Sequence, residues 1–245
     1  MQKPLSPDAL AELAPGGKLR VGINHGNFLI VTPGSPFGAP KGIAPDLALE
    51  LGRRAGVPVE FVGFDAAGQL ADAVKNGQVD VGFLGNEPQR ADVIAFSPAY
   101  VELPVTYLVP AGSPIQRIDD VDREGVRIAV SARSAYDLYL TRHLKHARLA
   151  RAEGIPASAK LFAAEKLEAL AGLKPGLMEE ARKLPGARVL DGQVTAVQQS
   201  IGAPKNRQAA AAYLRAFIED VKRSGLAGQL VEKHGVKGIN VAPAA

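Results

Sequence analysis

The stretch Gly77–Pro110, GQVDVGFLGNEPQRADVIAFSPAYVELPVTYLVP, decides how the rest of the chain is interpreted. Gly77 ends an amphipathic helix, and Val79 to Leu84 then form an apolar run with a single charge, which predicts a buried strand. This strand leads into a loop that holds Glu87 and Arg90. Because open α/β sheets bind ligands at the carboxyl ends of their strands, the loop is a predicted ligand site.

Composition limits the classes of function. The 245 residues are 47% hydrophobic and 22% charged, which is ordinary for a soluble globular protein. The 29 basic and 25 acidic residues leave a net charge of +4 with no run of five like charges, so no nucleic-acid or membrane-surface patch is indicated. The chain has no cysteine, which excludes disulfides, thiolate metal sites and cysteine catalysis. No apolar run is long enough to cross a bilayer.

Strands and helices alternate on the amino-terminal side of this stretch. The pattern predicts strands over 19–24 and 57–64, and helices over 5–14, 42–56 and the segment around Leu70 and Val74. Each glycine that follows a helical run, Gly56 and Gly77, is a typical helix end. Strand, helix, strand, helix, strand predicts a parallel sheet with right-handed crossovers.

A second α/β pattern begins after the turn cluster PAGSP at 110–114. Val126–Val130 is a predicted strand, and Ser134 is placed to cap a helix that runs to about His146. A strand that enters a small-residue turn and then a capped helix leaves backbone N–H groups without partners. Such a turn favours an anion.

The remaining pattern is weaker between 149 and 190. We predict a strand over 159–162, a helix over 164–171, and another short strand in LKPGLMEE (173–180) that ends in two acids. A strand from Val194 to Ile201 returns the chain. An amphipathic helix carrying Ala210, Leu214, Phe217 and Val221, and a last helix over 226–234, complete it.

The order of residues in the opening stretch resembles that in extracytoplasmic solute-binding proteins of ABC importers for polar amino acids, known as family 3. The resemblance rests on Asp80, the apolar strand after it, Arg90, the run Ile94–Ser97 and Tyr100. The segment GIAPDLA at 42–48 is similar to the family's Gly-apolar-x-x-Asp-Leu-Ala. The resemblance is strong over 42–100, fair over the last forty residues, and weak over 131–180.

The resemblance implies an α/β fold of two lobes, the type II periplasmic-binding-protein fold. Lobe 1 is expected over 1–108 plus 196–245, lobe 2 over 112–190, and the hinge near 108–112 and 190–196. It implies a monomer that captures a small carboxylate-bearing solute, an amino acid or a related compound, in a cleft between the lobes by hinge closure. A membrane permease of an ABC importer is the implied partner, and no cofactor, metal or nucleic acid is expected.

The same resemblance implies a periplasmic location. The first twenty residues lack the apolar centre of a signal peptide, so this location requires that an export signal has been removed and that Met1 comes from cloning. A full-length gene that opens directly on this methionine would count against export.

The resemblance also implies roles for residues around the ligand's carboxylate. Arg90 is expected to hold the carboxylate, and Gly85 and Asn86 precede it in the same loop as further contacts. Ser134 and the N–H groups of its turn are expected to share the carboxylate. Arg133 departs from the family's Gly-Thr-Thr-like turn, so it is either a second guanidinium that favours a dicarboxylate or a solvated loop arginine.

Four further side chains have two interpretations each. Phe28 covers the ligand, as the family's loop aromatic does, or packs beneath its loop. Asp46 contacts the ligand's amine or caps its helix. Glu179 is the partner of the ligand's ammonium or begins a surface helix. His25 lines the cleft as a polar contact, which we favour over a general base, or lies outside it.

Evidence for catalysis in the sequence is sparse. No Gly-x-Ser-x-Gly, phosphate-loop or Gly-x-Gly-x-x-Gly motif is present, and His143 and His146 are interpreted as surface histidines. We therefore expect a binding protein rather than an enzyme. The alternatives are an enzyme resembling cyclohexadienyl dehydratases, with Glu179 as a general acid whose pKa is raised by burial, and a ligand-sensing domain.

Overall fold

The computed structural model describes residues 5–32 and 39–244. Phe37, in the segment 25–41 that is rich in glycine and proline and follows the first predicted strand, therefore lies outside the described residues. Helices and strands alternate over most of the chain. In order they are α1 (Pro7–Leu13), β1 (Leu19–Asn24), α2 (Ile43–Ala55), β2 (Val59–Phe64), α3 (Ala67–Lys75), β3 (Val81–Asn86), α4 (Pro88–Ala91), β4 (Ile94–Phe96), β5 (Val101–Val109), a 3-10 turn (Ile118–Asp120), β6 (Arg127–Ser131), α5 (Ala135–His143), β7 (Arg148–Ala152), α6 (Ile155–Ala164), β8 (Ala169–Leu173), α7 (Lys174–Lys183), β9 (Arg188–Val189), β10 (Thr195–Pro204), α8 (Gln208–Arg223), α9 (Leu226–Lys233) and β11 (Asn240–Val241).

The described chain divides into two compact units. Unit 1 comprises the residues up to Glu102 together with those from Gln198 onward, and unit 2 comprises Leu103–Val197. The lobes expected from the sequence were 1–108 plus 196–245 and 112–190. The observed boundaries fall inside β5 and β10, so each of these strands begins in one unit and ends in the other.

Unit 1 is built on a parallel sheet. Strand β1 pairs in parallel with β2 on one side and with β3 on the other, and β10 pairs antiparallel with β3. The α/β fold predicted from the alternating pattern is confirmed. Helix α3 packs closely on this sheet because Gly82 has no side chain; a Cβ there would lie 2.5 Å from Cγ2 of Val74. Because β1 and β3 are parallel neighbours, their carboxyl ends lie side by side at one edge of the sheet.

A buried carboxylate ties four elements of unit 1 together. The side chain of Asp80 is fully buried and accepts hydrogen bonds from Nε of Arg20 at 3.0 Å, from its Nη2 at 2.7 Å and from Nη1 of Arg207 at 2.9 Å. Arg207 also donates to the carbonyl of Glu12 at 2.9 Å. Since these residues come from β1, the start of β3, α8 and α1, the network fixes the base of the unit.

Unit 2 holds the strands at the other end of the sheet order. Strand β6 lies between β7 and β8 and is parallel to both, while β8 pairs antiparallel with β5. A buried apolar cluster joins the sheet to α6 and α7; it contains Leu108, Ala129, Phe162, Leu167, Leu170 and Leu177. The carboxyl ends of β6 and β8 lie at one edge, followed by α5 and α7.

The structure corrects the prediction between residues 148 and 183. Helix α6 occupies 155–164, where a strand was expected; β8 occupies 169–173, where a helix was expected; and LKPGLMEE is almost entirely helix α7. Strand β8, ALAGL, contains no β-branched residue and is buried throughout, so burial overrides its weak strand propensity. Strand β7, RLARA, was not predicted because it carries two arginines. None of the helices within the described ranges is long and apolar enough to cross a membrane.

Candidate functional site

The carboxyl end of β3 holds Arg90 in a buried position. Glu87 caps the short helix α4, and its carboxylate accepts a hydrogen bond from the amide of Gln89 at 3.2 Å. Arg90 is only 5% exposed, and its Nη1 donates to the carbonyl of Gly85 at 2.8 Å. The cap and this bond hold the guanidinium against the end of the strand. The predicted contacts Gly85 and Asn86 form the last two residues of that strand.

Residues that follow β1 lie at the same edge of unit 1. Phe28 is 47% exposed, so it does not pack beneath its loop. The amide of His25 donates to the carbonyl of Phe64 at 2.8 Å, which continues the pairing of β1 with β2. Nδ1 of His25 is buried and has no hydrogen-bond partner among the described residues.

The imidazole ring of His25 lies directly over Gly63 on β2. A Cβ built on Gly63 would be 2.2 Å from Nε2 of His25, so only glycine accommodates the ring in this position. The interpretation of His25 as a site residue stays a prediction. His25 follows the carboxyl end of β1, and its ring extends over β2, which lies on the side of β1 away from β3.

We expect Gly63→Ala to displace the His25 ring, because the new methyl group would overlap it. The Cε1–H resonance of His25 in proton NMR should shift. Gly228→Ala in α9 is the control, because a Cβ there meets nothing within 4 Å, and it should leave that resonance unchanged. An unchanged His25 resonance in Gly63→Ala would contradict the ring position.

Two buried amides at this edge were not predicted as site residues. Asn27 is 6% exposed and Gln199 is 4% exposed, and Oδ1 of the first and Oε1 of the second accept no hydrogen bond from the described residues. Asn27 could have been suspected from its place in the glycine-rich loop. For Gln199 the sequence holds no such signal, because its closeness to the site depends on strand pairing: it lies opposite Gly85.

Asp46 is not placed to bind the ligand's amine. Its Oδ2 lies 2.7 Å from Nζ of Lys233 and 2.9 Å from Nε2 of His234. Burial by itself raises the pKa of Asp46, but the hydrogen bonds from Lys233 and His234 outweigh burial and leave it lowered. Its side chain also makes no capping bond at the start of α2. Asp46 therefore joins α2 to α9, which corrects both interpretations made from the sequence.

The turn before α5 in unit 2 has the predicted cap. Oγ of Ser134 accepts a hydrogen bond from the amide of Asp137 at 3.1 Å. Asp137, which is 2% exposed, in turn accepts from the amide of Arg133 at 2.8 Å and from Nε of Arg151 at 3.0 Å. Arg133 adopts a left-handed conformation with φ of 56°, which the two bonds made by Asp137 and Ser134 help to hold.

The first-turn amides of α5 are available to an anion. No residue in the described ranges accepts a hydrogen bond from the amides of Ala135 and Tyr136. The positive end of the helix dipole adds to their attraction for a negative group. The carboxylate of Asp137 is already present in this turn, so it competes with any solute for the same field.

Glu179 does not end a strand. It lies in the second turn of α7, its side chain is 53% exposed, and its Oε1 is paired with Nη1 of Arg182 at 2.6 Å. Strand β8 ends instead at Leu173, and Lys174 begins the helix, whose first turn contains no acid. The strand predicted over 173–180 ends seven residues earlier, at Leu173, so the predicted position of Glu179 at a strand end is wrong. It belongs to a surface helix, as the alternative interpretation held.

The two other histidines and the acids do not assemble a metal site. The ring of His143 stacks on that of Tyr139 with centroids 3.8 Å apart, and His143 Nδ1 lies 2.7 Å from the carbonyl of Tyr139. Over residues 5–32 and 39–244, no three histidine, aspartate or glutamate side chains are grouped to hold a metal ion.

The sequence of this chain matches one family model. The model describes bacterial extracellular solute-binding proteins, family 3, and it matches residues 19–237. No curated protein matches the chain.

Solved structures with the same fold include proteins that bind amino acids. The solute receptor for L-cysteine of Neisseria gonorrhoeae is 20% identical with a TM-score of 0.79, covering 94% of this chain and 95% of that one. An amino acid ABC transporter substrate-binding protein from Streptococcus pneumoniae, bound to L-arginine, is 17% identical with a TM-score of 0.75, covering 96% and 99%. The ancestral amino acid-binding protein AncCDT-1, a precursor of cyclohexadienyl dehydratase, is 22% identical with a TM-score of 0.76, covering 91% and 97%. At these identities the likeness shows the fold.

Proposed function

Because this chain belongs to the bacterial extracellular solute-binding proteins of family 3, we propose that it binds a small carboxylate-bearing solute, an amino acid or a related compound, through Arg90. The observation that carries the proposal is the placement of Arg90, 5% exposed at the carboxyl end of β3. A planar guanidinium matches both oxygens of a carboxylate, which an ammonium does not. Carboxyl ends of parallel strands are where α/β sheets bind ligands.

Unit 2 offers a second anchor for an anion. We propose that Ser134 and the free amides of Ala135 and Tyr136 bind a carboxylate. Each charge-assisted hydrogen bond contributes about 1.5–3 kcal/mol. Hinge closure over the solute and direct contact by Arg133 both stay predictions.

A paired-ligand thermal-shift screen tests the proposal. We expect at least one of the twenty L-amino acids, present at a hundred times its Kd, to stabilise the protein by about 2.7 kcal/mol, which raises Tm by about 5–10 °C. Its decarboxylated amine should give no shift, because it lacks the group that Arg90 binds. Agmatine matches L-arginine in this way, and cysteamine matches L-cysteine. An amine that shifts Tm as much as its amino acid would contradict the proposal.

We propose that the protein acts by binding and delivers its solute to a membrane permease of an ABC importer outside the cytoplasm. The family is one of binding proteins, and its description as extracellular supports this location. The alternative of a cyclohexadienyl-dehydratase activity has the support of AncCDT-1, which shares the fold. However, Glu179 is half exposed and paired with Arg182, so it lacks the burial that its role as general acid required.

Incubation with prephenate or arogenate distinguishes the two functions. We expect no aromatic product, because a chain that only binds its solute has no means of eliminating water and carbon dioxide from these substrates. Formation of phenylpyruvate or phenylalanine above the level of the Arg90→Ala variant would establish the enzyme instead.

A further inference from the structure

We propose that the side-chain amides of Asn27 and Gln199 bind the ammonium group of an amino-acid solute. This inference rests on the proposed function and adds the identity of the groups that recognise the solute's positive end. The solute class that follows is an amino acid with a free ammonium, held at its carboxylate by Arg90 and at its ammonium by neutral amide oxygens.

Two buried side-chain oxygen atoms of unit 1 lack a hydrogen-bond donor within the described ranges. Oδ1 of Asn27 and Oε1 of Gln199 are buried and accept no hydrogen bond from any residue in the described ranges. Buried polar atoms are almost always paired, since leaving one unpaired forfeits the hydrogen bond it would make with water. Two such acceptors at one edge of one sheet therefore indicate that a donor is brought by something other than the chain.

Strand pairing places Gln199 on β10 and Asn27 just after β1, the two strands that flank the end of β3, which Arg90 contacts. Gln199 lies opposite Gly85 in the pairing of β10 with β3, and the carbonyl of Gly85 accepts the hydrogen bond from Arg90. On the other side of β3 lies β1, whose carboxyl end leads into Asn27. Because adjacent strands are about 4.8 Å apart, β1 and β10 flank the end of β3 at a separation of about 10 Å.

An ammonium needs oxygen acceptors, and the two acids that the sequence offered for this role are engaged elsewhere: Asp46 with Lys233 and His234, and Glu179 with Arg182. Amide oxygens have the lone pairs that an ammonium requires.

Amide removal should produce opposite changes in stability and in binding. Gln199→Met keeps the length of the side chain and removes the unpaired acceptor, so the ligand-free protein should have a higher Tm than wild type. Asn27→Leu should act in the same direction. A side chain with a structural hydrogen bond would instead lower Tm when removed, and such a fall would overturn the inference without any ligand being added.

Binding is measured by calorimetry with four amino acids and the acids that lack only their ammonium. The pairs are L-glutamate and glutarate, L-aspartate and succinate, L-arginine and 5-guanidinopentanoate, and L-cysteine and 3-mercaptopropionate. For the amino acid that wild type binds, each variant should raise Kd about tenfold or more, as expected for a lost hydrogen bond to a charged group. Its partner without the ammonium should bind wild type more weakly and change less than twofold in the variants.

Gln198→Met is the matched control. Gln198 precedes Gln199 on β10, points to the opposite face of the strand, and is only partly buried. It should change neither Tm nor Kd appreciably. Equal loss of both members of a pair in Gln199→Met, or no loss, overturns this inference while the proposed function stands. If wild type binds none of these four amino acids, the amino acid that gives the largest thermal shift among the twenty is measured with the acid that lacks only its ammonium; if none of the twenty binds, the proposed function fails and this inference fails with it.

Discussion

Arg90→Ala should abolish the thermal shift that any carboxylate-bearing solute produces. The guanidinium is buried at the carboxyl end of β3, where water competes poorly for the solute's carboxylate. Truncating one partner of a buried, hydrogen-bonded charge pair costs about 2–5 kcal/mol of binding free energy, which corresponds to roughly 30-fold to several-thousand-fold in Kd. Calorimetric titration of wild type and variant with the amino acid that gives the largest thermal shift measures this loss.

Two further variants separate loss of the contact from loss of the fold. Arg90→Lys keeps the charge and removes the planar fork, so it should retain only a small part of the affinity. Arg182→Ala is the matched control, since Arg182 is exposed and pairs, within the described part of the chain, with Glu179 on the same helix surface. It should leave Kd unchanged. A Kd in Arg90→Ala within twofold of wild type, with the circular dichroism spectrum of the native protein, would place the site elsewhere.

Asp80→Ala should give the largest loss of stability. The carboxylate is fully buried and neutralises two guanidinium groups, so its removal leaves Arg20 and Arg207 beside each other without a counter-charge. Removing one partner of a buried ion pair costs about 3–5 kcal/mol of the free energy of unfolding. Denaturant unfolding followed by circular dichroism measures this loss as a fall in midpoint at unchanged slope.

Exposed ion pairs provide the comparison. Arg53→Ala removes one of the two arginine partners of Glu50 at the surface of α2, where Arg53 is 70% exposed. The fall in midpoint should be far smaller than for Asp80→Ala, because water screens an exposed pair. If Asp80→Ala costs no more than Arg53→Ala, the buried network contributes nothing beyond a surface pair and its assignment is wrong.

The same carboxylate should make the stability depend on acidity. Burial by itself raises the pKa of Asp80, but the hydrogen bonds from Arg20 and Arg207 outweigh it and hold the pKa below its usual value. A carboxyl whose pKa is lower in the folded state stabilises fully above its unfolded value of about 3.9, and this stabilisation is lost as pH falls through the folded value. Below about pH 4, wild type should therefore lose stability more steeply than Asp80→Asn.

Short-range signals in the sequence were enough for the first hundred residues. The strand Leu19–Asn24 has the predicted limits, and α2 begins after Gly42 and ends at Gly56, whose φ of 70° fits the left-handed end of a helix. Ser134 caps α5 as its position suggested. Caps, closing glycines and the spacing of apolar residues act within a few residues of each other, so the chain carries this information locally.

Between residues 148 and 183, the local sequence was not enough to predict the helices and strands correctly. A five-residue run such as ALAGL satisfies a helix and a strand equally well, and only burial on both faces by the rest of unit 2 makes it β8. Because the strand was predicted in the wrong place, the predicted role of Glu179 was also wrong, since that role required Glu179 to lie at the end of the strand. Family resemblance was weakest over this same segment, so it could not correct the assignment.

The sequence by itself determined the α/β class, the family and the position of Arg90 at the end of a buried strand, because each depends on residues close together in the chain. Only the tertiary structure decided which charged side chains form stabilising ion pairs within the protein. Asp46 meets His234 across 188 residues, and Asp80 meets Arg207 across 127. The tertiary structure also decided that Gln199 lies opposite Gly85 in the pairing of β10 with β3. Pairings over such separations arise from packing of whole elements, and no local pattern encodes them.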